Sequence, residues 1–428
     1  MIEIIKNDDE IEAFFGILAK RANVSSGEFS SVVKEIIDDV RNDKDLALVK
    51  YIKKFDDPNF DIKNIEVTKE EQKACYESLS IEMQEILFKA KDRIYDYHLH
   101  QKRQTWEYVG EYGEILGQKI TPIENVGVYV PGGKASYPSS VIMNVIPAKV
   151  AGVKNITMVT PAVKGYINPL VLAAAYVCEV DHVYKIGGAQ AIAALAYGTE
   201  TIKKVDKIVG PGNIFVALAK REVYGTVGID SIAGPSEVTI IADETSNPSF
   251  VAADLLAQAE HDKLASSTVF VTNALIANKI KEEVIKFYNT SSRKEILDSS
   301  LTNYSKIIVV SDVKKAIEYA NRVAPEHLEL SIDNARNYID DIKNAGAIFL
   351  GHYSVEALGD YMAGPNHVLP TVGTARFFSP LGVDDFIKKT SLITFDKASA
   401  KNLVDSVDKF AQAESLEMHA LSARLRGE

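Results

Sequence analysis

Cysteine is scarce in this sequence, with only Cys75 and Cys178 among 428 residues. The two are far apart, lack CxxC spacing and have no neighbouring histidine, so they do not indicate a disulfide framework, a metal site or a redox motif. Unpaired thiols of this kind are typical of proteins of a reducing compartment. We expect both to be core or surface thiols.

The sequence also lacks the apolar runs that mark membrane and secreted proteins. Its first stretch, MIEIIKNDDEIEAFFGILAKRA, alternates acids with apolar residues, unlike the basic-then-apolar layout of a signal peptide. No apolar run approaches the ~18 residues that a membrane span requires. We therefore expect a cytoplasmic protein that does not bind membranes.

Positive charge is in deficit. The formal net charge is −11 and the pI is near 5.4, and the lysines and arginines are scattered rather than clustered in stripes. This pattern argues against nucleic acid as a partner, because a nucleic-acid site needs a basic patch. A small-molecule substrate fits better.

Hydrophobic residues are plentiful, at 46%, which is enough for two or more cores in a chain of this length. Residues 1–120 are mostly helical by pattern and should pack on an α/β core, and residues 376–428 read as a linker and a helical tail. Strands, turns and helices alternate in between. This alternation of strands and helices predicts an α/β fold with two doubly wound, incomplete Rossmann-like parallel-sheet domains, at 121–236 and 237–375.

Two glycine turns could bind a nucleotide. YVPGGKASYPS and IGGAQAIAALAYG each place glycines after a strand and before a helix, where backbone N–H groups can face a phosphate. Neither has the GxGxxG pattern, and the turns need glycine for their own geometry, so a purely structural role stays open. VGPGNIFVALAK adds a third tight turn, from which Asn213 could point into the same crevice.

Four of the eight histidines lie in groups that suggest chemistry. His98 and His100 are predicted to be solvated on a helix, and His182 and His352 to be structural. The other four are His261 in LLAQAEHDK, His327 in APEHLEL, His367 in GDYMAGPNHVLP and His419 in ESLEMH.

Each of these four motifs also carries an amide or a carboxylate. Gln258 and His261 are spaced i, i+3, which puts them on one helical face, and Glu326 directly precedes His327. Asp360 lies close to His367, and Glu414 to His419. Together the motifs offer two imidazoles, an amide and a carboxylate, a set of nitrogen and oxygen donors suited to Zn²⁺, while the remaining groups could do acid–base work.

With these motifs assembled, the chain resembles the L-histidinol dehydrogenase family over essentially its whole length. The resemblance rests on a series of motifs in order: YVPGGKASYPSS, GPGNIFVALAK, GPSEV, LLAQAEHD, APEHLEL, GDYMAGPNHVLPT and the final Glu and His. Members of this family oxidise L-histidinol to L-histidine in two steps through the aldehyde, in histidine biosynthesis, using two NAD⁺ and one Zn²⁺ per site. The resemblance therefore implies a cytoplasmic homodimer with zinc and NAD as cofactors.

The resemblance also implies roles for individual residues. Glu326 and His327 would be the catalytic pair. The zinc ligands would be Gln258, His261, Asp360 and His419, with His419 supplied by the partner chain of a homodimer with shared active sites. The substrate contacts would be Ser236, His327, His367, Glu414 and the four zinc ligands. The NAD contacts would be Tyr129, Gln190 and Asn213, in the first α/β domain.

Two rival interpretations stay open from the residues alone. A zinc hydrolase would use the metal to activate water, but the common HExxH pattern is absent. A non-catalytic nucleotide- or sugar-binding protein would use the polar loops only for ligand contacts. Reduction of NAD⁺ that depends on histidinol separates these possibilities.

Overall fold

The computed structural model describes residues 2–21, 26–132 and 137–427. The strands are β1 Glu3–Ile5, β2 Trp106–Val109, β3 Ile115–Pro122, β4 Asn125–Tyr129, β5 Asn155–Thr160, β6 His182–Lys185, β7 Lys207–Val209, β8 Gly228–Ile229, β9 Glu237–Ala242, β10 Ser266–Val271, β11 Lys306–Val309, β12 His327–Ser331, β13 Ala347–Leu350 and β14 Ile387–Thr394.

The helices alternate with these strands through the middle of the chain. They are α1 Asp8–Arg21, α2 Ser26–Asp43, α3 Asp45–Phe55, α4 Lys69–Glu77, α5 Ile81–Leu99, α6 Pro138–Ala151, α7 Pro169–Val177, α8 Gly188–Tyr197, α9 Ile214–Val223, α10 Pro248–Ala259, α11 Ala274–Thr290, α12 Lys294–Asn303, α13 Val313–Val323, α14 Glu356–Leu358, α15 Lys397–Lys401, α16 Val404–Ala413 and α17 Glu417–Arg424. In the part of the chain that the structure describes, no helix is both long and apolar enough to cross a membrane.

Two parallel sheets form the body of the protein. The first has the strand order β6-β5-β4-β7-β8, and the second has the order β11-β10-β9-β12-β13 with β1 added at its β11 edge. The strands β9 and β10 are buried along their whole length, as expected when helices cover both faces of a parallel sheet. The prediction of two doubly wound units is confirmed, and the two units share one strand order.

The N-terminal region divides between the two units. Helix α1 packs through Ile11, Phe14 and Leu18 on the second sheet, which β1 also joins. Helices α2 and α3 contribute instead to the core on one face of the first sheet. The region expected to be helical therefore also supplies a strand, because the short apolar run of β1 completes an edge of a sheet formed far along the chain.

A third, antiparallel sheet departs from the sequence prediction. It has the order β14-β3-β2, so residues 387–394, expected to be loop-like, pair along their full length with β3. Most of its side chains are exposed, which explains why hydrophobic alternation did not mark it. The helices α15, α16 and α17 follow β14 in the chain.

Candidate active site

The predicted catalytic residues lie at the amino edge of the second sheet. Ser236 and Glu237 stand at the start of β9, and Glu326 and His327 at the start of its neighbour β12. These two strands are adjacent at the point where the strand order reverses. The register of the sheet, with His327 opposite Val238, therefore brings two segments separated by about ninety residues into contact.

Glu326 and His327 are both buried and are held by the same peptide. The Glu237 N–H donates to Glu326 Oε2 at 3.0 Å, and His327 Nδ1 lies 3.2 Å from the Glu237 carbonyl oxygen. Glu326 Oε2 is 3.9 Å from His327 Nδ1. The buried Nε2 atom of His327 has no hydrogen-bond partner among the described residues, which leaves it for a ligand.

Gln258 lies against this pair and against a residue that sequence reasoning missed, Glu356. The Gln258 amide is 3.2 Å from His327 Nδ1 and 3.0 Å and 3.2 Å from the two Glu356 carboxylate oxygens. With its nitrogen toward them, the amide donates hydrogen bonds. With its oxygen toward them, the arrangement needs either a protonated Glu356 that donates to the amide oxygen or a cation shared between the oxygens.

Asp360 completes a group that can hold a metal ion. Ligand atoms of His327, Glu356 and Asp360 all lie within 4.8 Å of one another. Glu356 and Asp360 are four residues apart, and this spacing is the signal that could have identified Glu356 from the sequence. Imidazole nitrogen and carboxylate oxygen are donor types that Zn²⁺ binds.

Burial sets the protonation of these groups. It raises the pKa of Glu326 and of Glu356 well above the usual range, and nearby carboxyls raise both further. Burial also raises the pKa of Asp360 to about 6 and lowers the pKa of His327 to about 3. The cluster thus favours neutral groups when no cation is bound, and a bound cation would favour the ionised carboxylates.

His261 differs in position from the prediction. Helix α10 ends at Ala259, so His261 lies in a turn beyond the helix, where its N–H donates to the Gln258 carbonyl oxygen at 3.2 Å. Its side chain is exposed in the single chain, yet its ring is near enough to His327 and His367 to influence the pKa of both. The structure therefore brings Gln258 and His261 to one site, although not on one helical face.

The stretch from Gly359 to Pro370 carries His367 to the same site. Burial lowers the pKa of His367 to about 4, and its buried Nε2 atom has no hydrogen-bond partner in the described ranges. Gly364 has a φ of 112°, a backbone conformation that favours glycine at a bend. Gly359 is helical, and the close approach of the Phe349 ring requires glycine there, since a Cβ atom would lie 2.8 Å from that ring. His327, Asp360 and His367 line a cavity of about 1280 Å³.

His98 supports this stretch, contrary to the prediction that it is solvated. It is buried, with Nδ1 2.7 Å from the Ile94 carbonyl oxygen and Nε2 3.4 Å from Asn366 Nδ2. Asn366 also donates to the Met143 carbonyl oxygen at 2.7 Å. The prediction was wrong because Asn366, which follows far along the chain, covers that face of α5.

The predicted NAD contacts gather at the carboxyl end of the first sheet. Gly188 N–H donates to the Tyr129 hydroxyl at 3.1 Å, and Gln190 is buried two residues later in α8. Asn213 caps α9 by accepting from the N–H groups of residues 215 and 216. Part of the first glycine turn, residues 133–136, lies outside the described residues.

The third glycine turn, at residues 209–213, is held by a buried ion pair. Lys220 Nζ donates to the Gly210 carbonyl oxygen at 3.0 Å and pairs with Asp230, which in turn accepts from Gly210 N–H at 2.8 Å. Gly210 has a φ of 108°, and a Cβ atom there would lie 2.1 Å from the Tyr129 carbonyl oxygen. This turn therefore requires glycine, and it brings Tyr129 beside the segment that carries Asn213.

Glu414 and His419 are not brought to the site within one chain. Glu414 follows α16, His419 lies on α17, and both side chains are exposed. Neither makes a hydrogen bond or an ion pair with the site residues over residues 2–21, 26–132 and 137–427. The helices α16 and α17 pack on each other and expose Phe410, Met418 and Leu425.

Comparison with known proteins adds to this geometry. The family model of histidinol dehydrogenase matches residues 19–427. A histidinol dehydrogenase of Clostridium acetobutylicum is 53% identical over 416 residues, covering 97% of this chain and 96% of that protein, and one of Nitrosomonas europaea is 51% identical, covering 98% and 97%. The crystal structure of histidinol dehydrogenase from Elizabethkingia anophelis matches with a TM-score of 0.94 and 39% identity, covering 99% of this chain and 98% of that one. The similarity extends over both parallel-sheet units and the tail.

Proposed function

This chain belongs to the histidinol dehydrogenase family and is a dehydrogenase, and on that basis we propose that it oxidises L-histidinol to L-histidine in the cytoplasm. The reaction consists of two successive hydride transfers, with L-histidinaldehyde kept in the site between them. The observation that carries this proposal is the buried cluster in which Glu326 and Gln258 lie beside His327, while His327 and Asp360 line the cavity. The assignment to histidine biosynthesis follows from the product.

The donor set fits one zinc ion. Gln258, His261 and Asp360 would hold it from this chain and His419 from the partner, with Glu356 close enough to bind it or to accept a hydrogen bond from a ligand. When bound, zinc orients the imidazole and amine of the substrate beside the catalytic pair. The Gln258 amide oxygen facing Glu356 is the orientation that suits this role, because a cation relieves the contact between oxygens.

His327 is the base for the substrate hydroxyl. Burial lowers its pKa and keeps the imidazole neutral at physiological pH, so one ring nitrogen has a free lone pair toward the substrate. If Nδ1 carries the ring proton, it donates to the Glu237 carbonyl oxygen, and the free lone pair is then on Nε2, the atom without a partner. In each oxidation Nε2 would accept the proton of the substrate hydroxyl, and bound NAD⁺ would supply the hydride acceptor.

Glu326 activates the water that converts the aldehyde to its hydrate. Its Oε2 atom is occupied by the Glu237 N–H, which fixes the carboxylate and leaves Oε1 to accept a proton from water. Burial raises its pKa, and a cation bound nearby would favour the ionised form that acts as the base. The hydrate then presents a hydroxyl to His327 for the second oxidation.

NAD is proposed to bind across the carboxyl end of the first sheet. Ligands of doubly wound sheets bind where the strand order reverses, here between β4 and β7. Tyr129 ends β4, Asn213 follows β7, and Gln190 is two residues beyond Gly188, whose N–H donates to the Tyr129 hydroxyl. These three residues are therefore proposed as NAD contacts.

The tail is proposed to complete the site of a second copy in a homodimer. His419 is exposed on the pair of helices α16 and α17, which also exposes apolar side chains to solvent. His261, another of the proposed zinc ligands, is exposed as well. A two-fold assembly in which each tail crosses to the partner would bury these apolar side chains and supply His419 and Glu414.

One assay tests the reaction itself. Purified protein should reduce NAD⁺ only when histidinol is present, with two NADH formed for each histidinol consumed. Hydrolysis without NADH formation would support a zinc hydrolase instead, and tight nucleotide binding without turnover would support a binding protein.

A second assay tests the composite site. Two inactive variants, His261→Ala and His419→Ala, should regain roughly a quarter of wild-type activity after random subunit exchange, because half of the dimers then contain one intact site. If differently tagged chains are shown to form mixed dimers and no activity returns, the tail does not act across an interface.

A further inference from the structure

A buried ion pair lies directly behind the catalytic pair. The Arg21 guanidinium at the end of α1 contacts the Glu237 carboxylate, and the two side chains are 0% and 5% exposed. The residues are 216 positions apart in the chain. This pair is separate from the ligand set and from the hydroxyl and water steps derived above.

Glu237 contacts both residues of the proposed catalytic pair and the segment that follows His367. Its N–H donates to Glu326 and its carbonyl oxygen lies beside His327 Nδ1, at 3.0 Å and 3.2 Å. Its Oε1 atom accepts from the Val372 N–H at 2.8 Å, which ties in the segment that follows His367. The position of the Glu237 backbone therefore sets the position of both catalytic side chains.

Arg21 is held in an arrangement that is poor for stability alone. Its Nη2 atom also lies 3.5 Å from the Pro235 carbonyl oxygen, but Nε and Nη1 are buried without hydrogen-bond partners among the described residues. Unpaired buried donors are unfavourable, and a buried ion pair is often replaceable by apolar residues without loss of stability. The contribution of Arg21 is therefore expected in the geometry that it imposes on residues 235–237.

We propose that Arg21 and Glu237 are positioning residues, which together fix the orientation of Glu326 and His327 for oxidation. This inference rests on the proposed function. Without Arg21, the Glu237 carboxylate loses the charge that holds it, and the entry to β9 can shift. A displacement of the reacting groups of about 1 Å can reduce turnover by about 100-fold even when substrate binding is retained.

The test compares kcat and KM in variants that keep the size of the side chains. Arg21→Met and Glu237→Gln should each lower kcat for histidinol by roughly 10- to 100-fold, with KM changed less than about threefold, because neither residue contacts substrate. Arg21→Lys should restore part of kcat. The double variant should be no worse than the worse single variant, since both remove one interaction.

The matched control is Leu18→Ala on the same helix, which weakens the packing of α1 without touching Glu237. All rates are normalised to folded protein and bound zinc, measured by thermal melting and elemental analysis. The inference is overturned if normalised kcat stays within about twofold of wild type, if Leu18→Ala lowers it equally, or if the loss follows zinc content. Wild-type protein without histidinol-dependent NADH formation would instead refute the proposed function.

Discussion

Replacing Glu326 with glutamine should separate the two oxidations that we propose for this site. Glutamine keeps an oxygen that can accept from the Glu237 N–H, a contact of 3.0 Å, so the local fold should be retained. It removes the carboxylate that would accept a proton from water. The first oxidation does not use that water, and the second does.

The size of the effect follows from the loss of one general base. Such a loss typically lowers a rate by about 100- to 10,000-fold, or about 3 to 5 kcal/mol of barrier. We expect this reduction for histidinaldehyde oxidation, and less than about tenfold for aldehyde formation from histidinol. His327→Asn should lower both rates, because Nε2 accepts a proton in each oxidation.

The assay follows NADH with histidinol and, separately, with supplied histidinaldehyde. For Glu326→Gln the yield of NADH per histidinol should fall from two toward one, and the aldehyde should become trappable in solution. Equal reductions in both rates would refute the division of roles between Glu326 and His327. Intact thermal stability of the variant is the control for its fold.

Three further predictions address the cofactors and the pH dependence. Chelation of the metal should abolish turnover and leave circular dichroism nearly unchanged, because the two sheet cores do not include the ion; full activity after verified metal removal would contradict this. Lys220→Met should raise KM for NAD about tenfold and leave KM for histidinol unchanged, since Lys220 fixes the Gly210 turn; equal changes in both would contradict it. Burial raises the pKa of Asp56 to about 6 from 3.8. The folded state therefore binds this proton more tightly, and its contribution to stability is complete below about pH 4 and is lost as pH rises through about 6. Allowing for partial exposure, the loss is about 1 to 2 kcal/mol. Urea unfolding should show that Asp56→Asn removes this part of the pH dependence, and identical curves for both proteins would contradict the assignment.

The parallel sheets could be predicted because their signal is local. Strands such as β5 and β9 are short apolar runs followed by turn residues and a helix, and each such unit can be recognised alone. The local signal failed where a distant segment decides the outcome. The exposed strand β14, for example, forms only because the distant β3 pairs with it. A local signal was overlooked elsewhere: the pattern of residues 69–106 predicts one long helix, but Ser80 caps α5 and separates it from α4.

The site was predictable to the extent that its residues share motifs. Glu326 with His327, and Gln258 with His261, are close in the sequence, and the family resemblance supplied their roles. Glu356 has only its spacing from Asp360 as a signal. Arg21 and Glu237 have none, because the contact between them depends on α1 packing on a sheet formed more than two hundred residues later.

The two units share one strand order, but the sites proposed for them lie at opposite ends of their sheets. In the first unit the glycine turns and Asn213 follow the carboxyl ends of the strands, where nucleotides bind. In the second unit β9 runs into a turn in which Asp243 accepts from the Thr245 N–H at 2.9 Å, and the catalytic residues precede the strands.

Because the proposed sites lie at opposite ends of the two sheets, they can face one cavity. The cavity is lined by Asp230 and Ser231, which follow the last strand of the first sheet, and by His327, which begins a strand of the second. The carboxyl end of one sheet therefore faces the amino end of the other across one space. If a dinucleotide binds to the first unit as proposed, this arrangement allows its reactive ring to reach toward His327, the proposed base.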